Sequence, residues 1–187
     1  MRVVDEYEGI LPAYKAFYAQ SIAYAAERAE AAFQRFEEID AGADSAAQVF
    51  AALQEALTHA GALSRFFWPV RERSRLANAR GKRLREAFEL SDNSPLRSRE
   101  LRNAFEHFDE DLDRFLLKDL GEYFFPDPIL GSHQLADEAT GNIFKLIDMK
   151  YGVCVLLGKK FEFRPIRREV QHILSQTLQS DKNGSRL

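Results

Sequence analysis

Apolar residues along this chain recur first at helical spacing and then, near the C-terminus, in short runs. From Ala13 to about Asp40 there is no Gly or Pro, and Ala, Glu, Gln and Arg abound. That composition favours helix over a long window, and Pro12 suits its first turn. Ala23, Ala25, Ala26, Ala29, Ala31 and Ala32 leave room for a close helical neighbour. In "DAGADS", Gly42 is predicted to end this helix, and Ser45 with Gln48 gives a capping-box pattern for the next. Val49, Leu53, Leu57, Ala60 and Leu63 carry the second helix to about Phe67, with Pro69 beyond it. A third helical segment is predicted over about 70–90, with a kink or break at Gly81. "SDNSPL" then stops and restarts the chain, Ser94 capping and Pro95 at the first helical position. The fourth helix, about 95–118, places Leu101, Ala104, Phe105, Phe108, Leu112, Phe115 and Leu116 within an arc of about 120°.

The pattern changes after residue 120. Gly and Pro punctuation predicts a loop over 121–141. "NIFKLIDM", "GVCVLL" and "KFEF" predict a β-hairpin or meander over 142–165. "IRREVQHILSQTL" returns to helical spacing over 166–180, and 181–187 reads as a frayed tail. The predicted fold is a single, mainly α domain over 1–187. An antiparallel four-helix bundle occupies 1–120, and the strands and final helix pack on it or extend an interface.

Composition narrows the function classes. The 187 residues, 45% hydrophobic and with 15 Phe, suffice for a real core. A net charge of −3 excludes a wholly basic nucleic-acid coat but permits a local basic patch. From Arg65 through Arg85 there are eight basic residues and one acid, Glu72. Cys154 is the one cysteine. It has no partner for a disulfide or a zinc knuckle and lies in an apolar run, which predicts a buried structural thiol. The first residues lack an apolar signal core and carry Asp5, Glu6 and Glu8, and no apolar run is long enough to span a membrane. A cytoplasmic protein is the expectation.

One stretch of the fourth helix, "LRNAFEHF", holds polar groups inside an apolar run. Measured from the centre of the apolar stripe, Arg102 lies at about 100°, Glu106 at about 140° and Asn103 at about 160°, with His107 about 120° the other way. All four are therefore expected to point away from the core. Asn103 and His107, four apart, can touch, whereas Arg102 and His107 are too far around the helix for a simple pair. A solvated charged face is the plain reading of these positions. The same Arg-to-His spacing recurs at Arg167 and His172.

"LRNAFEHFDEDLDRF" resembles the conserved helix of the HEPN superfamily (higher eukaryotes and prokaryotes nucleotide-binding domains). Those small helical bundles are marked by Arg, a polar residue, three to five further residues and then His. The likeness is sharp over these fifteen or so residues and extends as architecture over 1–120; strands at 142–163 are not part of the usual pattern. The resemblance implies a metal-independent endoribonuclease working as a homodimer, with motifs of both subunits lining one cleft and no cofactor. In it a ribose 2′-OH attacks the adjacent phosphate and leaves a 2′,3′-cyclic phosphate. His107 would move the proton, Arg102 would hold charge on the phosphoryl oxygens, and Asn103 would orient either. Arg71, Arg73, Arg75, Arg80, Lys82 and Arg83 form the candidate RNA track through phosphate contacts, unless they pair with the acidic fourth helix. Any inhibitor protein is unidentified. The alternative is a non-catalytic helical module binding a nucleotide or a protein, in which the motif knits an interface.

Other constellations are weaker. Glu169 and His172 have the spacing of a di-iron carboxylate pair, but no second Glu-x-x-His exists. Glu55 and His59 form a helical surface pair, and His133 has no evident partner in sequence. Trp68, beside Phe66 and Phe67, is expected in the core or an interface.

Overall fold

The computed structural model describes residues 2–39, 45–70, 74–117, 124–138 and 142–183. The fold is mainly helical with a small mixed sheet. Its helices are α1 (Arg2–Tyr7), α2 (Lys15–Glu38), α3 (Ala46–Phe67), α4 (Arg75–Ala87), α5 (Glu100–Glu106), α6 (Phe108–Leu116) and α7 (Arg164–Asn183).

Helices α2 and α3 form the centre. Their alanines let the backbones approach, and Ala26, Ala29, Phe33, Leu53, Ala56, Ala60 and Leu63 are buried where they meet. The pair is antiparallel: Arg35 bridges to Glu55 at 2.6 Å, while Tyr24 and Gln20 approach Ala62 and Phe66 at the other end. The C-terminal helix α7 joins this core. Phe163, just before it, stacks edge-on against Phe36 with ring centroids 5.4 Å apart, and Val170 and Ile173 are fully buried. It begins at Arg164 and runs to Asn183, so it starts earlier than predicted and takes in the first residues assigned to a tail.

Helix α4 crosses the C-terminal end of α3 and continues through Gly81 without a break. A Cβ on Gly81 would sit 2.6 Å from the Phe67 carbonyl oxygen, so this glycine serves close approach instead of a kink. Three arginines satisfy the carbonyls that α3 leaves open at its end. Arg80 donates to Arg65 O at 3.4 Å, Arg85 to Phe67 O at 2.6 Å, and Arg99 to Trp68 O and Pro69 O at 3.3 and 3.4 Å. Trp68 is buried, with the Arg85 guanidinium 5.9 Å from its ring centre. Gly42, the predicted end of the first helix, lies outside the described residues.

The predicted fourth helix is two helices and a turn. Ser94 is buried and accepts a bond from the Leu96 N–H at 3.3 Å, and the Arg97 N–H bonds back to Ser94 O at 3.0 Å. Residues 95–97 therefore form a turn, and α5 starts only at Glu100. It bends at His107, whose φ of −113° and ψ of 29° leave the helical range. Hydrogen bonding continues through the bend, His107 N–H to Asn103 O at 2.9 Å and Asp111 N–H to His107 O at 3.1 Å.

Strands β1 (Phe124–Phe125), β2 (Ile129–Leu130), β3 (Asn142–Ile143), β4 (Lys145–Asp148), β5 (Val153–Leu156) and β6 (Lys159–Glu162) follow. The larger sheet has the order β2-β4-β5-β6. Strands β4, β5 and β6 are antiparallel neighbours, with Leu146 opposite Val155 and Cys154 opposite Phe161. Strand β2 adds parallel to β4, and β1 pairs in parallel with β3. The predicted 121–141 loop thus contains strands, and a 3-10 turn over His133–Asp137 besides. Ile147, Cys154 and Leu156 face the helical core. Leu146, Val153 and Val155 face the other way and are covered by Ile129, Leu135 and Ala136.

Candidate functional site

Three aromatic contacts fix the bent α5–α6 unit. Phe105 packs on Phe50 of α3 with ring centroids 5.4 Å apart, and Phe115 meets Phe144 edge-on at 5.3 Å. Between them the Lys145 ammonium sits 4.7 Å from the centre of the Phe108 ring. Burial along the predicted stripe follows: Leu101, Ala104 and Phe115 are buried, and only Leu116, at 52% exposure, turns outward.

The three motif residues do not share one face. His107 stands at the bend with its side chain 59% exposed, its Nδ1 3.8 Å from Glu110 Oε1. At that separation the two make no hydrogen bond. Asn103 is exposed one turn earlier. Both line an open groove of about 530 Å³ between α5–α6 and β6, together with Glu100, Asp111, Arg114 and Lys159. Acid and base alternate along its wall: Arg114 bonds to Asp111 at 2.7 Å, and Lys159 reaches Asp111 at 3.5 Å.

Arg102 departs from the outward orientation expected of it. Its side chain is only 14% exposed and lies across Gly61 of α3, where a Cβ would meet Arg102 Cδ at 2.7 Å. It opens into a second cleft, of about 260 Å³, between α3, the 95–102 segment, β6 and the start of α7. The two clefts adjoin, sharing Glu100 and Phe161. Burial holds the Arg102 guanidinium below its ordinary pKa; Glu106 opposes that shift, while Arg65 and Arg99 add to it. Its Nε, 3.5 Å from Glu106 Oε1, is buried without a hydrogen-bond partner.

The basic run is engaged in pairs: with the N-terminal segment, within α4 and, through Arg65 and Glu106 at 3.9 Å, with the predicted fourth helix. Arg75 reaches Asp5 at 3.5 Å, Arg83 reaches Glu8 at 3.3 Å, and Lys82 pairs with Glu86 along α4 at 3.8 Å. Arg80 is occupied at the end of α3. Arg71 and Arg73 lie outside the described residues.

The second Arg-to-His match is structural. Arg167 holds Glu30 through its Nε and an Nη (3.3 and 2.9 Å) and also bonds Glu37, while Gln171 donates to Glu30 at 3.0 Å. Burial alone would lower the Arg167 pKa, but Glu30 and Glu37 together raise it. His172 Nε2 lies 3.1 Å from Phe88 O. Among the described residues no three His, Cys, Asp or Glu side chains come together to hold a metal ion, and Glu169 beside His172 stays a lone pair. His59 is 3.7 Å from Glu55 on α3.

His133 does have a partner, and sequence reasoning missed it. Asp148, 4% exposed, accepts from the His133 backbone N–H at 3.0 Å and the Tyr151 N–H at 3.0 Å, and its Oδ2 is 2.7 Å from His133 Nδ1. Burial pushes the Asp148 carboxyl up, but these bonds outweigh it and hold the pKa below the ordinary value. A loop histidine fifteen residues from a strand-end aspartate carries no spacing signal. Cys154 is fully buried, as its apolar neighbours predicted, and burial pushes its thiol up to about 12.

Among the described residues no helix is long and apolar enough to cross a membrane. Comparison with protein-family models, curated proteins and solved structures finds no match to this chain.

Proposed function

We propose that the chain is a metal-independent, HEPN-like endoribonuclease that works as a homodimer in the cytoplasm. The reading takes α2, α3, α4 and the α5–α6 unit as its antiparallel four-helix bundle, with the sheet and α7 as additions. The observation that carries it is His107: an exposed imidazole at a helix bend, with Asn103 one turn away, opening on a groove that also holds Arg114 and Lys159. An imidazole can take or give a proton at neutral pH, which suits it to accept the 2′-OH proton. Within one chain Arg102 and His107 open into different clefts, so the site is complete only when a second copy closes over the groove.

One observation favours the non-catalytic module instead. Arg102 is largely buried against Gly61, as an arginine that only joins helices would be. Incubating total RNA with the protein in EDTA separates the two. The ribonuclease reading expects products ending in 2′,3′-cyclic phosphate, lost in His107→Ala and Arg102→Ala with the circular dichroism spectrum unchanged. Cleavage that survives His107→Ala, or that requires Mg²⁺, rejects it.

A further inference from the structure

Three guanidinium groups gather where α3 meets α5. Arg65 and Arg102 both approach one oxygen, Glu106 Oε1, at 3.9 and 3.5 Å. Arg99 stands close enough to depress the Arg102 pKa together with Arg65. The local balance of these four groups is three positive charges against one carboxylate. Arg102 Nε, moreover, is buried and makes no hydrogen bond. Glu106 is half-exposed and on one flexible stem, free to swing into water. The cleft beside Arg102 also carries exposed Glu100 and Glu162, and Lys160, whose ammonium is held by Asp137 at 2.6 Å. The anion seat is therefore the guanidinium end alone.

We propose that Glu106 is an internal counter-ion occupying the place of a substrate phosphodiester, and that RNA engages Arg65 and Arg102 by displacing it. A phosphate offers the same acceptor geometry as a carboxylate, with more oxygens for the planar fork of Arg102. This also extends the expected nucleic-acid track to Arg65 and Arg102, beyond Arg75, Lys82 and Arg83, which sit in surface ion pairs, and Arg80, which holds the end of α3. The identity of the anion rests on the ribonuclease reading; the displacement does not.

The test uses a 12-nucleotide oligothymidylate, which lacks the 2′-OH and stays intact, with binding followed by fluorescence anisotropy at low salt. Glu106→Gln should bind about five- to tenfold tighter than wild type, with a salt slope steeper by about 0.7, one further phosphate contact. Glu55→Gln removes the same charge from the Arg35 pair on α3 and should change binding less than about twofold. In Glu106→Gln/Arg65→Ala the gain should vanish. Glu106→Ala serves as a second version of the same opening. A gain no larger than that of Glu55→Gln, a gain that survives Arg65→Ala, or binding too weak to measure in every variant overturns the proposal. Cleavage of a matching RNA is scored separately. Tighter DNA binding with no RNA cleavage by any variant keeps the displacement and rejects the ribonuclease; cleavage by wild type without the Glu106→Gln gain does the reverse.

Discussion

Arg167→Ala offers a sharp test of how α7 is held. Arg167 and Glu30 are 18% and 9% exposed, and their carboxylate–guanidinium contact joins the helix to α2 across 137 positions of sequence. Removing the guanidinium takes two charge-assisted bonds from Glu30 at about 1.5–3 kcal/mol each, and leaves a carboxylate held only by Gln171. The guanidinium also lies 5.9 Å from the centre of the Phe33 ring, worth a further ~0.5–1 kcal/mol. Breaking one side of a buried pair costs about 3–5 kcal/mol, so about 4 kcal/mol is expected. At about 2–4 °C per kcal/mol for a chain of this size, the melting temperature should fall by about 10 °C. Replacing both partners, Glu30→Leu with Arg167→Leu, removes the stranded charge and should cost less than the single change. Urea denaturation followed by circular dichroism measures both. A single variant within about 1 kcal/mol of wild type, or a double variant that simply adds the two single costs, would refute the buried-pair account. It would also reopen the choice between the two Arg-to-His matches.

Two further outcomes follow from close contacts. Asp148 has a depressed pKa in the folded chain, so its stabilisation is present above the ordinary carboxylate value of 3.8 and is lost as pH falls through the folded one. Asp148→Asn should therefore cost about 1–3 kcal/mol at pH 7 and progressively less as pH falls below 3.8, read from urea midpoints; a cost that does not fall with pH contradicts it. Gly81→Ala should destabilise by about 1–3 kcal/mol although alanine is the better helix former, because its Cβ would press on the Phe67 carbonyl and Pro69 Cδ at 2.6 and 3.0 Å. A variant with a raised melting temperature would show that the α3–α4 contact yields easily.

Legibility tracked how local the cause was. Helices α2 and α3 could be read directly, since propensity, Pro12 and the leucine spacing act within one segment. The apolar stripe of α5–α6 was legible too, but not the turn at Ser94 or the bend at His107. A helical wheel extends a period through a bend. Arg102 was misplaced because it sits at the margin of that stripe, where the outcome depends on the opposing helix; the missing side chain of Gly61 gives it room. Strands β1, β2 and β3 have two residues each, too few to express an alternation. The partners of Arg75, Arg83 and His133, namely Asp5, Glu8 and Asp148, come from other segments, and no spacing rule reaches them.

The sheet ends on one side at β6, whose exposed sequence is "KKFE" with only Phe161 turned partly inward. On the other it ends in the two-residue β2. An unpaired flank of backbone is an invitation to foreign strands, and lysines along it are a known deterrent. Strand-to-strand fusion of two molecules is thus discouraged at both borders. Amyloid-like stacking from the native state is guarded against by Lys159 and Lys160, of which Lys159 also lines the groove beside His107.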